Sequence, residues 1–250
     1  MFKADFSDLL AQVERAKAFH KPLKVVVTGL LSFLYLSRIV DHHAVTPAHQ
    51  HAHDHGHDHD CHHADTVGTP QHDTLGLIDA LLPSYTELFD QLAAAGVTYV
   101  QVDEPILALD LPQAWKNAFE QVYNRLQRRD ALKLIVSSYF GSLEDNLNLA
   151  VHLPVAGLHI DITREQPNQR FWQLVIDALP THKILSLGLI NGRSVWATDL
   201  VAAAQIIDTA QAKLGQRLWL STGCSLLHVP VDLTQEQLPV AIEGRLAFAR

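Results

Sequence analysis

Several short apolar runs in this sequence end in residues that could do chemistry. Asp103-Glu104-Pro105 closes the run Val97 to Val102, and Ser137-Ser138-Tyr139 closes Leu132 to Val136. His159 and Asp161 straddle the end of Gly157 to Ile160. Asn191 follows Ile184 to Leu187, and Cys224 and His228 follow Leu218 to Leu220. The carboxylates of Asp103 and Glu104 could bind an amine or act as a general base. His159, Asp161 and Cys224 carry the nitrogen, oxygen and sulfur donors that a borderline metal such as zinc accepts. Plainer roles compete with these. An aspartate at a strand end commonly caps the next turn, a lone buried cysteine packs as a small hydrophobe, and His-x-Asp supplies only two ligands.

A second chemistry lies elsewhere. The stretch from His42 to His72 holds eleven of the sixteen histidines. Its densest part carries His49, His51, His53, His55, His57, His59, Cys61, His62 and His63, with aspartates interleaved. Clustered imidazoles and carboxylates bind Zn²⁺, Ni²⁺ or Cu²⁺ with little preorganisation. The same imidazoles titrate near pH 6.5 and would make a pH-responsive charge patch. The stretch has almost no apolar residues, so residues 41–73 read as a disordered inserted loop, whose closure costs little free energy.

The elements that must position the strand-end residues are legible as an alternation. Leu23 to Val27 reads as a strand, followed by Val97 to Val102, Leu132 to Val136, Gly157 to Ile160, Ile184 to Leu187 and Leu218 to Leu220. Such continuous apolar runs fit parallel strands covered on both faces. Between them lie helical patterns. Leu75, Ile78, Leu82, Tyr85, Phe89 and Leu92 share one helical face, with Pro83 as a kink and Gly96 as a stop. Asp199 to Leu214 is periodic and ends at Gly215, and Asp5 to Phe19 reads as an amphipathic helix. The pattern fits a closed (β/α) barrel or a doubly wound open sheet. No Gly-x-Gly-x-x-Gly or Walker-type loop follows a strand, which favours the barrel. Six strands against the eight of a (β/α)8 TIM barrel predict an incomplete barrel, a single unit over residues 1–250.

Composition narrows the function. Hydrophobic residues make up 48% of the chain and charged residues 18%, enough for a sizeable core. A net charge of −8 without a basic run argues against nucleic acid. Two cysteines make no disulfide framework. The apolar run Val25 to Leu36 falls short of the ~20 residues that cross a bilayer. The charged start lacks a signal-peptide pattern, so a cytoplasmic protein without membrane contact is expected.

Five stretches carry a family likeness. They are Val100-Gln101-Val102-Asp103-Glu104-Pro105 with Asp110-Leu111-Pro112; Ser138-Tyr139-Phe140-Gly141; the run from Leu153 to Asp161; the run from Gly188 to Trp196; and the run from Cys224 to Leu233. Their order and content resemble the amino-terminal barrel of cobalamin-independent methionine synthase. The resemblance implies a two-barrel enzyme that moves a methyl group from methyltetrahydropteroyl-polyglutamate to homocysteine. In that family the carboxy-terminal barrel holds a catalytic zinc, which lowers the thiol pKa so that the thiolate attacks the methyl group.

Two departures shape the expectation. The family's first segment, with its Arg-Glu-Leu-Lys folate-contacting motif, has no counterpart here, and neither does the zinc barrel. The chain is therefore expected to be inactive alone and to act only with a separately encoded catalytic barrel. If the two barrels of the family are an ancient duplication, Asp103 stands where the other barrel keeps a homocysteine-binding aspartate. His159, Asp161 and Cys224 then stand near that barrel's metal ligands as a relic zinc site. The competing expectations are a metal-handling or scaffold protein acting through the histidine-rich loop, and a truncated product without function.

Overall fold

The structure is a computed structural model and describes residues 4–38, 73–127, 132–165, 170–227 and 229. The histidine-rich stretch, with His49, His51, His53, His55, His57, His59, Cys61, His62 and His63, lies outside the described residues, as does His228. Six strands alternate with helices: α1 (Ser7–Lys17), β1 (Lys24–Thr28), α2 (Leu30–Leu36), α3 (Ile78–Ala94), β2 (Tyr99–Asp103), α4 (Gln113–Leu126), β3 (Lys133–Ser138), α5 (Leu147–His152), β4 (Gly157–Asp161), α6 (Phe171–Ala178), β5 (Ile184–Ile190), α7 (Leu200–Leu214) and β6 (Leu218–Thr222). All six strands pair in chain order, and every pairing is parallel.

Register decides what each strand shows to each face, because side chains alternate with period two. Val25, Val100, Val102, Leu134, Val136, Leu158, Ile160, Leu185 and Leu187 form the outward rows, and all are buried. The helices cover them. On α4 the buried residues Trp115, Ala118, Phe119, Val122, Tyr123 and Leu126 recur at helical spacing on one side. Fully burying one such large side chain contributes roughly 1.5–3 kcal/mol. The sheet therefore has an apolar convex face, and what remains for the concave face is different in kind.

The sheet is strongly curved. Tyr99 of β2 and Trp219 of β6 meet edge to face with ring centroids 4.9 Å apart, although four strand positions separate them. Contact between strands four apart is what a barrel lumen permits and a flat sheet does not. No pairing joins β1 to β6 among the described residues, so this is an open (β/α) barrel with six strands in place.

Helix ends follow the sequence signals. Asp199 caps α7, its Oδ1 accepting from the backbone N–H groups of Val201 and Ala202 at 3.0 Å each. Gly96 ends the α3 turn at φ 77°, a conformation that glycine adopts without a Cβ penalty. The segment before α3, Asp73–Leu77, is a tighter 3₁₀ turn, so the long periodic run from Leu75 splits into two kinds of helix. Pro83 is accommodated inside α3.

Candidate functional site

The C-terminal ends of the strands open into a cleft of about 570 Å³, with Lys24, Asp103, Ser137, His159, Arg193 and Cys224 among its lining residues. Its floor is a polar row that runs across neighbouring strands. Asp103, Ser137, His159 and Ser186 are in register on β2, β3, β4 and β5, so their side chains point the same way. A polar row on the concave face is costly unless its members are bonded, and most are.

Lys24 reaches from the start of β1 to donate to Gln101 Oε1. Gln101 Nε2 in turn donates to Asp103 Oδ1 at 2.7 Å. The Tyr139 hydroxyl stands 3.4 Å from the second oxygen, Oδ2. Burial raises the Asp103 carboxyl above its ordinary range, with hydrogen bonds from Gln101, Tyr139 and Ser137 and the charge of Lys24 opposing the rise. The Ser137 hydroxyl is fully buried against Asp103.

His159 is locked. Its Nε2 lies 3.2 Å from the Gly223 carbonyl oxygen and its Nδ1 lies 2.9 Å from Ser186 Oγ. A carbonyl only accepts, so Nε2 carries the proton and Nδ1 accepts from the serine. Burial drops the imidazole to about 4, so it is neutral at physiological pH. Asp161 is equally committed. Oδ1 accepts from Thr163 N at 2.9 Å and Thr163 Oγ1 at 2.6 Å, and Oδ2 accepts from Phe140 N at 3.2 Å. Cys224 points its thiol toward the Ser225 carbonyl oxygen at 3.7 Å, and burial raises its pKa.

These bonds bear on the zinc expectation. His159, Asp161 and Cys224 gather at one end of the barrel, yet the histidine lone pair and both carboxylate oxygens already serve protein donors. Among the described residues no group of three His, Cys, Asp or Glu side chains could hold a metal ion. The arrangement does not fit a zinc site, and no chemistry is routed through one.

Glu104 corrects a second expectation. It does not join Asp103 at the mouth. Alternation sends it to the opposite face, where it is fully buried. Its Oε2 accepts from Ser32 N at 2.7 Å, and Oε1 accepts from Leu31 N at 3.3 Å and from the Tyr123 hydroxyl at 3.0 Å. Glu104 is the cap of α2, supplied from 72 residues away. A Cβ on Gly29 would lie 2.1 Å from its Cδ, which explains a glycine there. Ser138 also leaves the cleft, and Asn191 is exposed and bonds the Arg193 backbone N–H.

Sequence reasoning missed Lys24, Gln101, Ser186 and Arg193 as site residues. The signal for Gln101 was present: Gln101 and Asp103 alternate with Val100 and Val102, which puts both polar side chains on one face. The rim adds Phe140, held at φ 73°, with the Arg193 guanidinium 5.0 Å from its ring centre. A non-glycine residue in that region is strained, and such strain clusters at functional sites.

A parallel, curved sheet with its polar groups at the strand C-termini defines a protein of the (β/α)-barrel class. Comparison with known proteins fixes the family: residues 1–215 match the cobalamin-independent synthase N-terminal domain, and the chain belongs to that family. All 250 residues align at 41% identity with a 5-methyltetrahydropteroyltriglutamate–homocysteine methyltransferase of Saccharophagus degradans, and cover 28% of that protein. The chain thus spans just over a quarter of its relative. Two solved structures share the fold. One is a B12-independent methionine synthase from Shewanella sp. W3-18-1 in complex with selenomethionine, with TM-score 0.59, 12% identity, and coverage of 92% of this chain and 62% of that one. The other is a vitamin-B12 independent methionine synthase, so assigned, from Listeria monocytogenes, with TM-score 0.51, 16% identity, and coverage of 62% and 50%. No helix among the described residues is long and apolar enough to cross a membrane.

Proposed function

We propose that this chain supplies the amino-terminal barrel of a cytoplasmic methyltransferase that moves a methyl group from methyltetrahydropteroyl-polyglutamate to homocysteine. It works with a zinc-bearing catalytic barrel, on the same polypeptide or a separate one. The observation that carries this reading is the 41% identity to a methyltransferase along all 250 residues. The geometry supports the division of labour. A zinc that activates the homocysteine thiol needs free protein donors, whereas His159 and Asp161 are committed to protein partners. The thiol chemistry is therefore assigned to the other barrel, and this one positions and shields.

A methyl-transfer assay tests the proposal. The chain is assayed alone, then mixed with a zinc-bearing catalytic barrel from the Saccharophagus relative. The expected result is turnover from the mixture that exceeds the sum of the parts, with none from the chain alone. Turnover by the isolated chain overturns the proposal. A mixture no faster than the catalytic barrel by itself also overturns it, and favours a product without independent function.

A second reading rests on the eleven histidines between His42 and His72. Imidazole clusters of that density take up divalent metal, so the chain also handles Zn²⁺, Ni²⁺ or Cu²⁺ through that segment, independently of the barrel.

A further inference from the structure

The turn that follows β3 is strained where it crosses the mouth. Phe140 lies at φ 73° and Glu144 at φ 40°, two of the three non-glycine residues with positive φ among the described ones. Residues with a Cβ rarely adopt that region. The two ends of the turn are held differently. Leu143 is buried, and Asn146 Nδ2 donates to the carbonyl oxygens of Leu107 at 2.9 Å and Leu109 at 2.7 Å, so the far end is fixed to the wall. Phe140, at the near end, is 41% exposed. Its N–H donates to Asp161 Oδ2 at 3.2 Å, and its ring lies under the Arg193 guanidinium at 5.0 Å. Arg193 follows β5, so this contact bridges the connections after β3 and β5 over the end of β4. A hollow lies on either side of the bridge. Tyr139 and Phe140 line the cleft of about 570 Å³, whereas Gly141, Ser142 and Asp161 line a neighbouring hollow of about 690 Å³. The boundary between them falls at the Phe140–Gly141 peptide.

We propose that residues 139–142 form a strap that opens and closes the mouth of the barrel. On opening, Phe140 leaves the left-handed region for an extended one, gives up its bond to Asp161 and its contact with Arg193, and joins the two hollows into one trough. The balance of terms makes both states accessible. Strain at Phe140 favours opening. One backbone hydrogen bond to a carboxylate and one exposed cation–π contact oppose it, and each is modest in strength. Opposing terms of similar size leave a minor state populated. The far end stays in place, because Leu143 and Asn146 remain packed against the segment after β2. Gly141 seats the strap when it is closed, since a Cβ there would lie 3.2 Å from the Ala108 Cβ. Opening releases two charged groups at once: Asp161 Oδ2 on the floor and the Arg193 guanidinium at the rim. Asp161 Oδ1 stays bonded to Thr163 in both states. The strap therefore governs which polar groups a solute meets on entering. It is a property of this chain's own mouth and does not depend on the methyl-transfer reading.

Relaxation dispersion on the ¹⁵N-labelled full chain tests it, because that measurement reads microsecond-to-millisecond exchange. The wild-type amides of Phe140, Gly141 and Ser142 are expected to exchange, and that of Asn146 is not. Phe140→Ala and Phe140→Gly both lose the ring and differ only in the Cβ that strains the backbone. The open-to-closed ratio should be about tenfold higher in Phe140→Ala than in Phe140→Gly, the factor that the left-handed penalty of one residue gives. Arg193→Ala should raise the ratio above that of wild type. Phe140 and Arg193 are both exposed, so these variants fold. A crystal structure of Phe140→Ala should show one continuous trough. The proposal is overturned by wild-type strap amides without exchange, by equal ratios in the alanine and glycine variants, or by an Arg193→Ala ratio no higher than wild type. A Phe140→Ala structure with the two hollows still divided overturns it as well.

Discussion

The Glu104 carboxylate accepts the backbone N–H of Ser32 at 2.7 Å across 72 residues of sequence, and its neighbour Asp103 faces the opposite side of the same strand. One dipeptide thus serves two parts of the protein. Glu104 anchors α2 to the barrel wall, and Asp103 forms the cleft floor. Removing Glu104 should be a stability defect. Glu104→Ala strands two backbone donors and the Tyr123 hydroxyl in the core, at a cost of roughly 3 kcal/mol. Urea denaturation followed by circular dichroism measures it, and an unchanged midpoint would refute the capping role.

The same residue predicts a pH dependence. Burial raises its carboxyl from 4.5 to about 7, against hydrogen bonds from Ser32, Tyr123 and Leu31. A carboxyl with a raised folded pKa binds more protons folded than unfolded between those values. Stability from this group is therefore intact at low pH and falls as pH rises from about 4.5 to about 7. Glu104→Gln should flatten that segment of the stability profile. His159 acts with the opposite sign, its stability lost as pH falls from 6.5 toward 4, but it is common to both proteins and cancels in the difference.

His159 should remain neutral far into acid. A ¹⁵N-resolved titration is expected to show the Nε2–H tautomer and no protonation until well below pH 6.5. Ser186→Ala removes the donor to Nδ1 and should cost about 1–2 kcal/mol in chemical denaturation. Ordinary titration near 6.5 would show that the ring is not held as described.

Glycines packed at the mouth should be far less tolerant than Gly76. A Cβ on Gly223 would meet Asp161 Oδ1 at 2.4 Å, and one on Gly188 would meet the Gly223 Cα at 2.5 Å. Gly188→Ala forces backbone apart and should destabilise by at least ~2 kcal/mol. Gly76 has open space around it, so Gly76→Ala should change stability by less than about 1 kcal/mol. Melting temperatures of the two variants give the comparison, and similar values would contradict the packing at the mouth.

Metal uptake should belong to the histidine-rich segment. Zinc titration of the intact chain is expected to show several equivalents, and a chain lacking residues 42–72 should show almost none. Equal stoichiometry in both would place the metal elsewhere.

The sequence by itself determined the elements. Each strand is a run of β-branched and aliphatic residues whose outward half must be covered by helix, so its existence and place follow from hydrophobicity alone. The order of elements, the six-strand count and the family motifs were legible for the same reason, because they depend on residues close together in the chain. The roles of individual polar residues were not. Asp103 and Glu104 look interchangeable in a linear reading, and His159, Asp161 and Cys224 look like ligands. Strand register and sheet curvature decide otherwise. Register brings Asp103, Ser137, His159 and Ser186 into one row, curvature sets Gly223 against His159, and the packing of α2 on the sheet sets Ser32 against Glu104. Whether a polar side chain is free or committed depends on partners tens of residues away, and only the tertiary structure supplies those partners.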